Sequence, residues 1–268
     1  MRRQAPRADQ NWIFDNFLTL SDNEDVLHPG IMGTRYERGF RHMDLQAVYS
    51  RVTGRRSFPK AWTRQAAIQE KKANDALATG REVTAVHHFH RAALCYGRAQ
   101  HLIPVDGHPK KIENYGGMRR CYDKMCELHG GKITRHEAEF ESDKKTYFIY
   151  YPAPGEDPKP TVLVIPGMDM IKEDGLNPWN NVFHSRGMNV CIMDGPGQGE
   201  SNMNQVWVDQ DNYARAASRV IDFLCERSEV DSSKIGLFGM SMGSRWGVEV
   251  GAHDDRVSAV VGQMANVG

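Results

Sequence analysis

Four uninterrupted apolar runs in the second half of the chain constrain its fold more than any other feature. They are "PTVLVIPG" (160–167), "GMNVCIMDGPG" (187–197), "KIGLFGMS" (234–241) and "VSAVVGQM" (257–264). A strand with one solvated face alternates apolar and polar residues, whereas a continuous run marks a strand covered on both faces. Helical patterns separate the runs, over 175–187, 208–228 and 243–252. Before them "KITRHEAEFE" and "KTYFIYYPA" read as two strands joined by the turn "SDKK". An antiparallel start followed by alternating strands and helices predicts a mostly parallel sheet with helices on both faces.

The first half follows a different period. "FPKAWTRQAAIQEKKANDALATG" places apolar residues three and four apart and stops at Gly80. "TAVHHFHRAALCYGRAQHLI" follows and ends before Pro104, and "HPKKIENYGGMRRCYDKMCELHG" predicts a third helix that ends at Gly130–Gly131. The chain thus divides near residue 130 into a helical domain (1–130) and an α/β domain (131–268). Residues 1–50 mix the aromatics Trp12, Phe14, Phe17, Tyr36 and Phe40 with loop formers and support no assignment.

Charge narrows the classes of partner. Lys+Arg and Asp+Glu balance at 34 each in 268 residues. No global field favours nucleic acid or an anionic membrane surface, so a small molecule is the expected partner, with no nucleic acid and no membrane. The basic N-terminus lacks the apolar stretch of a secretory signal, and no run approaches the roughly 18 apolar residues of a membrane-spanning helix. Five cysteines, Cys95, Cys121, Cys126, Cys191 and Cys225, form no CxxC pair and read as small buried thiols in a cytoplasmic protein.

Chemistry concentrates at Gly239-Met240-Ser241-Met242-Gly243. This G-x-S-x-G follows the strand "KIGLF" and precedes the helix "SRWGVEVGA", the context a nucleophile elbow requires. Gly239 and Gly243 relieve the crowding of a tight strand-to-helix turn, and Ser241 is the expected nucleophile. Its oxyanion would be held by the N–H of Met242 and by that of Met168, which follows Gly167 in the loop "PGMDMIKED". The alternative is a plain strand-to-helix turn. "MDGPGQGES" (193–201), with Asp194, fits neither phosphate-binding glycine pattern and reads as a loop shaping the sheet's carboxyl edge. His87 and His90 share a helix face near Glu82 but lack further ligands at metal spacing, so no metal or other cofactor is expected, and a solvated or packed face is favoured.

Together "IPGMD", "DGPGQGES", "GMSMGS" and the helical "TAVHHFHRAALCYGRAQ" resemble the α/β-hydrolases that carry an N-terminal helical cap domain. That group takes in 2,6-dihydroxypseudooxynicotine hydrolases, fungal polyketide-shortening hydrolases and esterases of the fermentation–respiration switch type. The resemblance runs from about residue 10 to the C-terminus. It implies Ser241 as nucleophile, Met168 and Met242 at the oxyanion hole, and a substrate-selecting cap over 1–130. It also implies a metal-free, cofactor-free hydrolysis and a homodimer. The implied reaction breaks a carbon–carbon bond beside a ketone in a bulky aromatic or polyketide-like molecule, or alternatively a carboxylic ester.

One part of the family pattern is missing. The triad order is Ser, then Asp or Glu, then His. After Ser241 stand only Glu249, His253, Asp254 and Asp255. A helix rising 1.5 Å per residue sets His253 about 18 Å from Ser241, beyond hydrogen-bond reach. The sequence therefore contains no triad acid or histidine, and it reads as a family member whose last two strands are absent. Binding without catalysis is the competing expectation.

Overall fold

The computed structural model describes residues 12, 15, 16, 31–103, 105–130 and 132–263, and the chain divides into two compact units, Met1–Leu128 and His129–Gly268. Phe14, Phe17, Pro104, Gly131 and Met264 lie outside the described residues.

The first unit is helical: α1 (Ile31–Arg38), α2 (His42–Tyr49), α3 (Ser57–Ala78), α4 (Glu82–Gln100) and α5 (Pro109–Leu128). Gly80 ends α3 as the sequence predicts. At φ +72° it lets its N–H reach Leu77 O while the Arg81 N–H reaches Ala76 O, the paired bonds of a Schellman turn. Buried polar side chains then hold helix to helix. Asp44 on α2 accepts from Gln65 and Gln69 on α3 and from Arg91 on α4, all at 2.7–2.8 Å. Buried carboxylates persist only when so partnered. Gly117 on α5 gives the Tyr96 ring of α4 room that a Cβ would fill at 3.0 Å.

In the second unit, six strands form one sheet in the order β1-β2-β4-β3-β5-β6. They are β1 (Thr134–Glu141), β2 (Lys144–Tyr151), β3 (Lys159–Ile165), β4 (Asn189–Asp194), β5 (Val230–Met240) and β6 (Val257–Gln263). β2 runs antiparallel to β1 and β4, and the β3–β4, β3–β5 and β5–β6 pairs are parallel. This is the mixed, mostly parallel sheet that the apolar runs predict. Helices α6 (Gly199–Met203), α7 (Asn212–Cys225) and α8 (Met242–His253) follow β4 and β5. α7 and α8 pack with Phe148, Tyr150, Leu163, Ile165 and Leu237 in the core on one sheet face.

The opposite face differs from expectation. The helix expected over 175–187 is replaced by irregular chain with short 3₁₀ turns at Lys172–Asp174 and His184–Arg186. Asparagine side chains capture the backbone there: Asn177 Oδ1 accepts from the N–H groups of Trp179 and Asn180, and Asn181 Oδ1 from that of His184. Such local bonds compete with helix, and Pro178 further disfavours it. The segment still covers part of the face, with Phe183 edge-on to Phe238 at 5.6 Å. Beside it Val162, Phe238, Ala259 and Val261 line an apolar hollow of about 540 Å³.

Candidate active site

Ser241 stands between β5 and α8 with φ 52° and ψ −122°, a conformation that costs an L-residue energy and is kept only where surroundings enforce it. The enforcement is visible. Its N–H donates to Gln263 O at 2.9 Å, and Ser244, through N–H and Oγ, bonds Ser241 O, Gly239 O and Gln263 O at 2.8–2.9 Å. A Cβ on Gly239 would lie 2.3 Å from Gly243 O, and one on Gly243 would lie 2.2 Å from Ile165 O. Both positions therefore require glycine, for the crowding that the sequence implied. Ser241 itself is exposed at the carboxyl end of the sheet.

Gly167 lies directly over it, since a Cβ there would sit 3.4 Å from Ser241 Cβ and 3.3 Å from Met240 O. Met168 and Met242 are exposed and line one cavity of about 380 Å³, together with Gln198, Arg245, Trp246 and Glu249. Met242 is the first residue of α8, where N–H groups lack a carbonyl four residues back. Met168 and Met242, which follow Gly167 and Ser241 in the chain, thus share one cavity.

It does not gather the remaining triad. His253 ends α8, eleven residues beyond its first residue, and Asp254 is engaged by Arg256 at 2.6 Å, which holds its carboxyl below the usual range. Asp255 is exposed beyond the helix end. Among the described residues no imidazole or carboxylate hydrogen-bonds Ser241 Oγ. In the helical unit His90 is buried against Tyr122, with its pKa lowered to about 3, foremost by burial. Among the described residues, no group of three or more His, Cys, Asp or Glu is placed to hold a metal ion.

The structure gives Asp194, which the sequence reading placed only in a loop-shaping string, a buried set of charged partners that the reading did not single out. Asp194, at the end of β4, is fully buried and accepts from Lys172 Nζ and the Lys172 N–H, both at 2.8 Å, and from the Glu200 N–H at 2.9 Å. Lys172 also reaches Glu200 and Glu173 at 2.8 and 3.0 Å, and Arg135 bridges the same two glutamates. Burial opposes charge on Lys172, but the surrounding carboxylates outweigh it and hold the ammonium above its ordinary pKa. For Asp194 burial wins, and its carboxyl is raised. Gly199, at φ +35°, would place a Cβ 2.1 Å from Asp194 Oδ2, and a Cβ on Gly195 would strike the Tyr213 ring at 2.3 Å. The glycines of "DGPGQGES" therefore make room for a carboxylate and a ring.

Comparison with known proteins agrees with this architecture. The family model "Esterase FrsA-like" matches residues 32–267. A 2,6-dihydropseudooxynicotine hydrolase of Paenarthrobacter nicotinovorans is 28% identical over 223 residues, covering 80% of this chain and 58% of the relative. The hydrolyase poxO of Penicillium oxalicum is 25% identical, covering 76% and 51% respectively, and the esterase FrsA of a Klebsiella pneumoniae strain 24%, covering 71% and 44%. This chain thus spans about half the length of these curated relatives. A crystal structure of 2,6-dihydroxy-pseudo-oxynicotine hydrolase superposes with TM-score 0.71 at 24% identity, over 84% of this chain and 62% of the other, and shows a shared α/β-hydrolase fold. The chain belongs to the esterase FrsA-like family.

Proposed function

We propose that this protein is a serine hydrolase in which Ser241 Oγ attacks a substrate carbonyl. The observation that carries the reading is the strained, exposed serine at the N-terminus of α8, packed so closely by Gly167 that a Cβ there would sit 3.4 Å from Ser241 Cβ. The N–H groups of Met168 and Met242 would hold the tetrahedral oxyanion, each donor being worth on the order of 10²-fold or more in rate. The acyl-enzyme would then be released by base-activated water. The favoured substrate class is a small molecule with a ketone beside the carbon–carbon bond to be broken, where the departing carbanion is stabilised by the adjacent carbonyl and then protonated. Kinship with a 2,6-dihydropseudooxynicotine hydrolase supports it. A carboxylic ester is the second class, supported by the kinship with esterases. Substrate selection is assigned to the helical unit, and a homodimer to the assembly.

The proton on Ser241 Oγ needs an acceptor. The reading requires an imidazole and a carboxylate that orients it, neither of which hydrogen-bonds Ser241 Oγ among the described residues. Without them the surviving function is binding alone, a second reading favoured by the lack of a base bonded to Ser241 among the described residues.

The test is fluorophosphonate labelling of the protein expressed from its complete reading frame. An adduct mapped to Ser241, absent in Ser241→Ala, is expected. A folded protein that takes no adduct overturns the enzyme reading, and turnover of a nitrophenyl ester against an aryl diketone then separates the two substrate classes.

A further inference from the structure

We infer that Gln198 is a positioning residue of the oxyanion hole, aiming the Met168 N–H at the oxyanion; the inference rests on the serine-hydrolase reading above. Gln198 is 2% exposed, and its amide is saturated. Nε2 donates to Pro166 O at 2.9 Å and to Gly167 O at 2.8 Å, while Oε1 accepts from the Gly195 N–H at 3.0 Å and the Tyr213 hydroxyl at 2.7 Å. Two carbonyls cannot donate and a backbone N–H cannot accept, so chemistry alone fixes which way round the amide lies.

The consequence follows from peptide planarity. Gly167 O belongs to the Gly167–Met168 peptide, and no described peptide bond is cis. In a planar trans peptide the C=O and the N–H point in opposite directions. A buried amide that holds Gly167 O therefore sets the direction of the Met168 N–H, away from Gln198. The Met170 N–H adds a second bond to Gly167 O at 3.1 Å. Without these anchors Gly167, which carries no side chain, leaves the peptide free to rotate. The anchor is itself held from the nucleophile's own helix, because Tyr213 stacks on Trp246 of α8 at 4.4 Å with 9° between the rings. Gln198 thus closes a loop of contacts that runs from Ser241 through α8, Trp246 and Tyr213 back to Gly167.

An oxyanion donor acts in the transition state and little in the ground state, so its misorientation lowers kcat while leaving KM nearly unchanged. Gln198→Glu keeps the acceptor for Gly195 and Tyr213 and replaces the two amide donors with a carboxyl that has at most one proton to share between Pro166 O and Gly167 O. It is expected to lower kcat on 4-nitrophenyl acetate by roughly 10- to 100-fold, short of the full loss of a donor, with KM within about twofold. Tyr213→Phe releases the far side of the amide and is expected to fall between wild type and Gln198→Glu. Both are measured on the complete reading frame beside Ser241→Ala, with thermal melting as a fold check. Should Gln198→Glu not fold, Gln198→Met replaces it with the same expected split, and Tyr213→Phe with unchanged kcat then overturns the inference. A wild type that takes no fluorophosphonate at Ser241 overturns the parent reading and this one together. Labelled, active wild type beside a folded Gln198 variant with unchanged kcat, or with a raised KM alone, overturns this one only.

Discussion

Lys172 Nζ lies 2.8 Å from Asp194 Oδ2, with both side chains fully buried, and the pair joins the loop after β3 to the end of β4. Those two chain segments carry Met168 and Gln198 respectively, so the ion pair sets the spacing of the loops that line the cavity beside Ser241. Glu173, Glu200 and Arg135 complete the group, with three carboxylates facing two cations.

Removing the central cation should therefore be costly. Lys172→Met leaves buried carboxylates without their common partner, and about 3–5 kcal/mol of stability should be lost. Urea unfolding of the variant beside wild type reads the difference. A loss below about 1 kcal/mol would mean that water, rather than Lys172, can satisfy the carboxylates.

The glycines of α8 predict opposite signs within one helix. A Cβ on Gly243 would meet Ile165 O at 2.2 Å, so Gly243→Ala forces β3 and α8 apart and should destabilise by about 1–3 kcal/mol. Gly247 sits one turn further on, and a Cβ there would meet Ile165 Cδ1 at an ordinary 3.8 Å. Gly247→Ala should stabilise by roughly 0.5–1 kcal/mol through helix propensity. Thermal melts of the two variants should move in opposite directions.

These residues also show what was legible in the sequence. The strands and the elbow could be read because their signals are local: an apolar run, a glycine two residues on either side of a serine, a stop at Gly80. The cluster around Asp194 could not, because its members stand at 135, 172, 173, 194 and 200 and meet only once β1, β2, β4 and β3 have assembled side by side. Gln198 was quoted within a loop-shaping string, but its partners at 166, 167 and 213 carry no pattern along the chain. The segment after Lys172 misled for the reverse reason. Its helical spacing is real, yet Asn177 and Asn181 side chains accept the backbone N–H groups that a helix would have used.

β6 forms an exposed border of the sheet. It pairs with β5, and Val260 and Val261 are 38% and 56% exposed. An apolar strand of this kind is a template for pairing with another chain. The 268-residue chain should self-associate as its concentration rises, and Val261→Lys should weaken that association without changing the far-ultraviolet circular dichroism. Sedimentation velocity over a concentration series provides the measurement. Identical concentration dependence in the two proteins would place the association elsewhere.

His90 predicts a pH dependence of the helical unit. Its burial on α4, helped by the nearby charges of His87 and Arg41, lowers its pKa to about 3 from the usual 6.5. Between those values the unfolded chain binds a proton that the folded chain refuses. Folding stability therefore falls as pH drops from 6.5 toward 3, by up to about 1.4 kcal/mol per pH unit from this group. His90→Phe keeps a ring against Tyr122 and removes the titration. The variant should lose about 2 kcal/mol less than wild type between pH 7 and pH 5, by urea unfolding at each pH. His88, also lowered by burial, contributes to the slope of both proteins and cancels in the difference. Equal losses in wild type and variant would show that the His90 site admits water and a proton in the folded state.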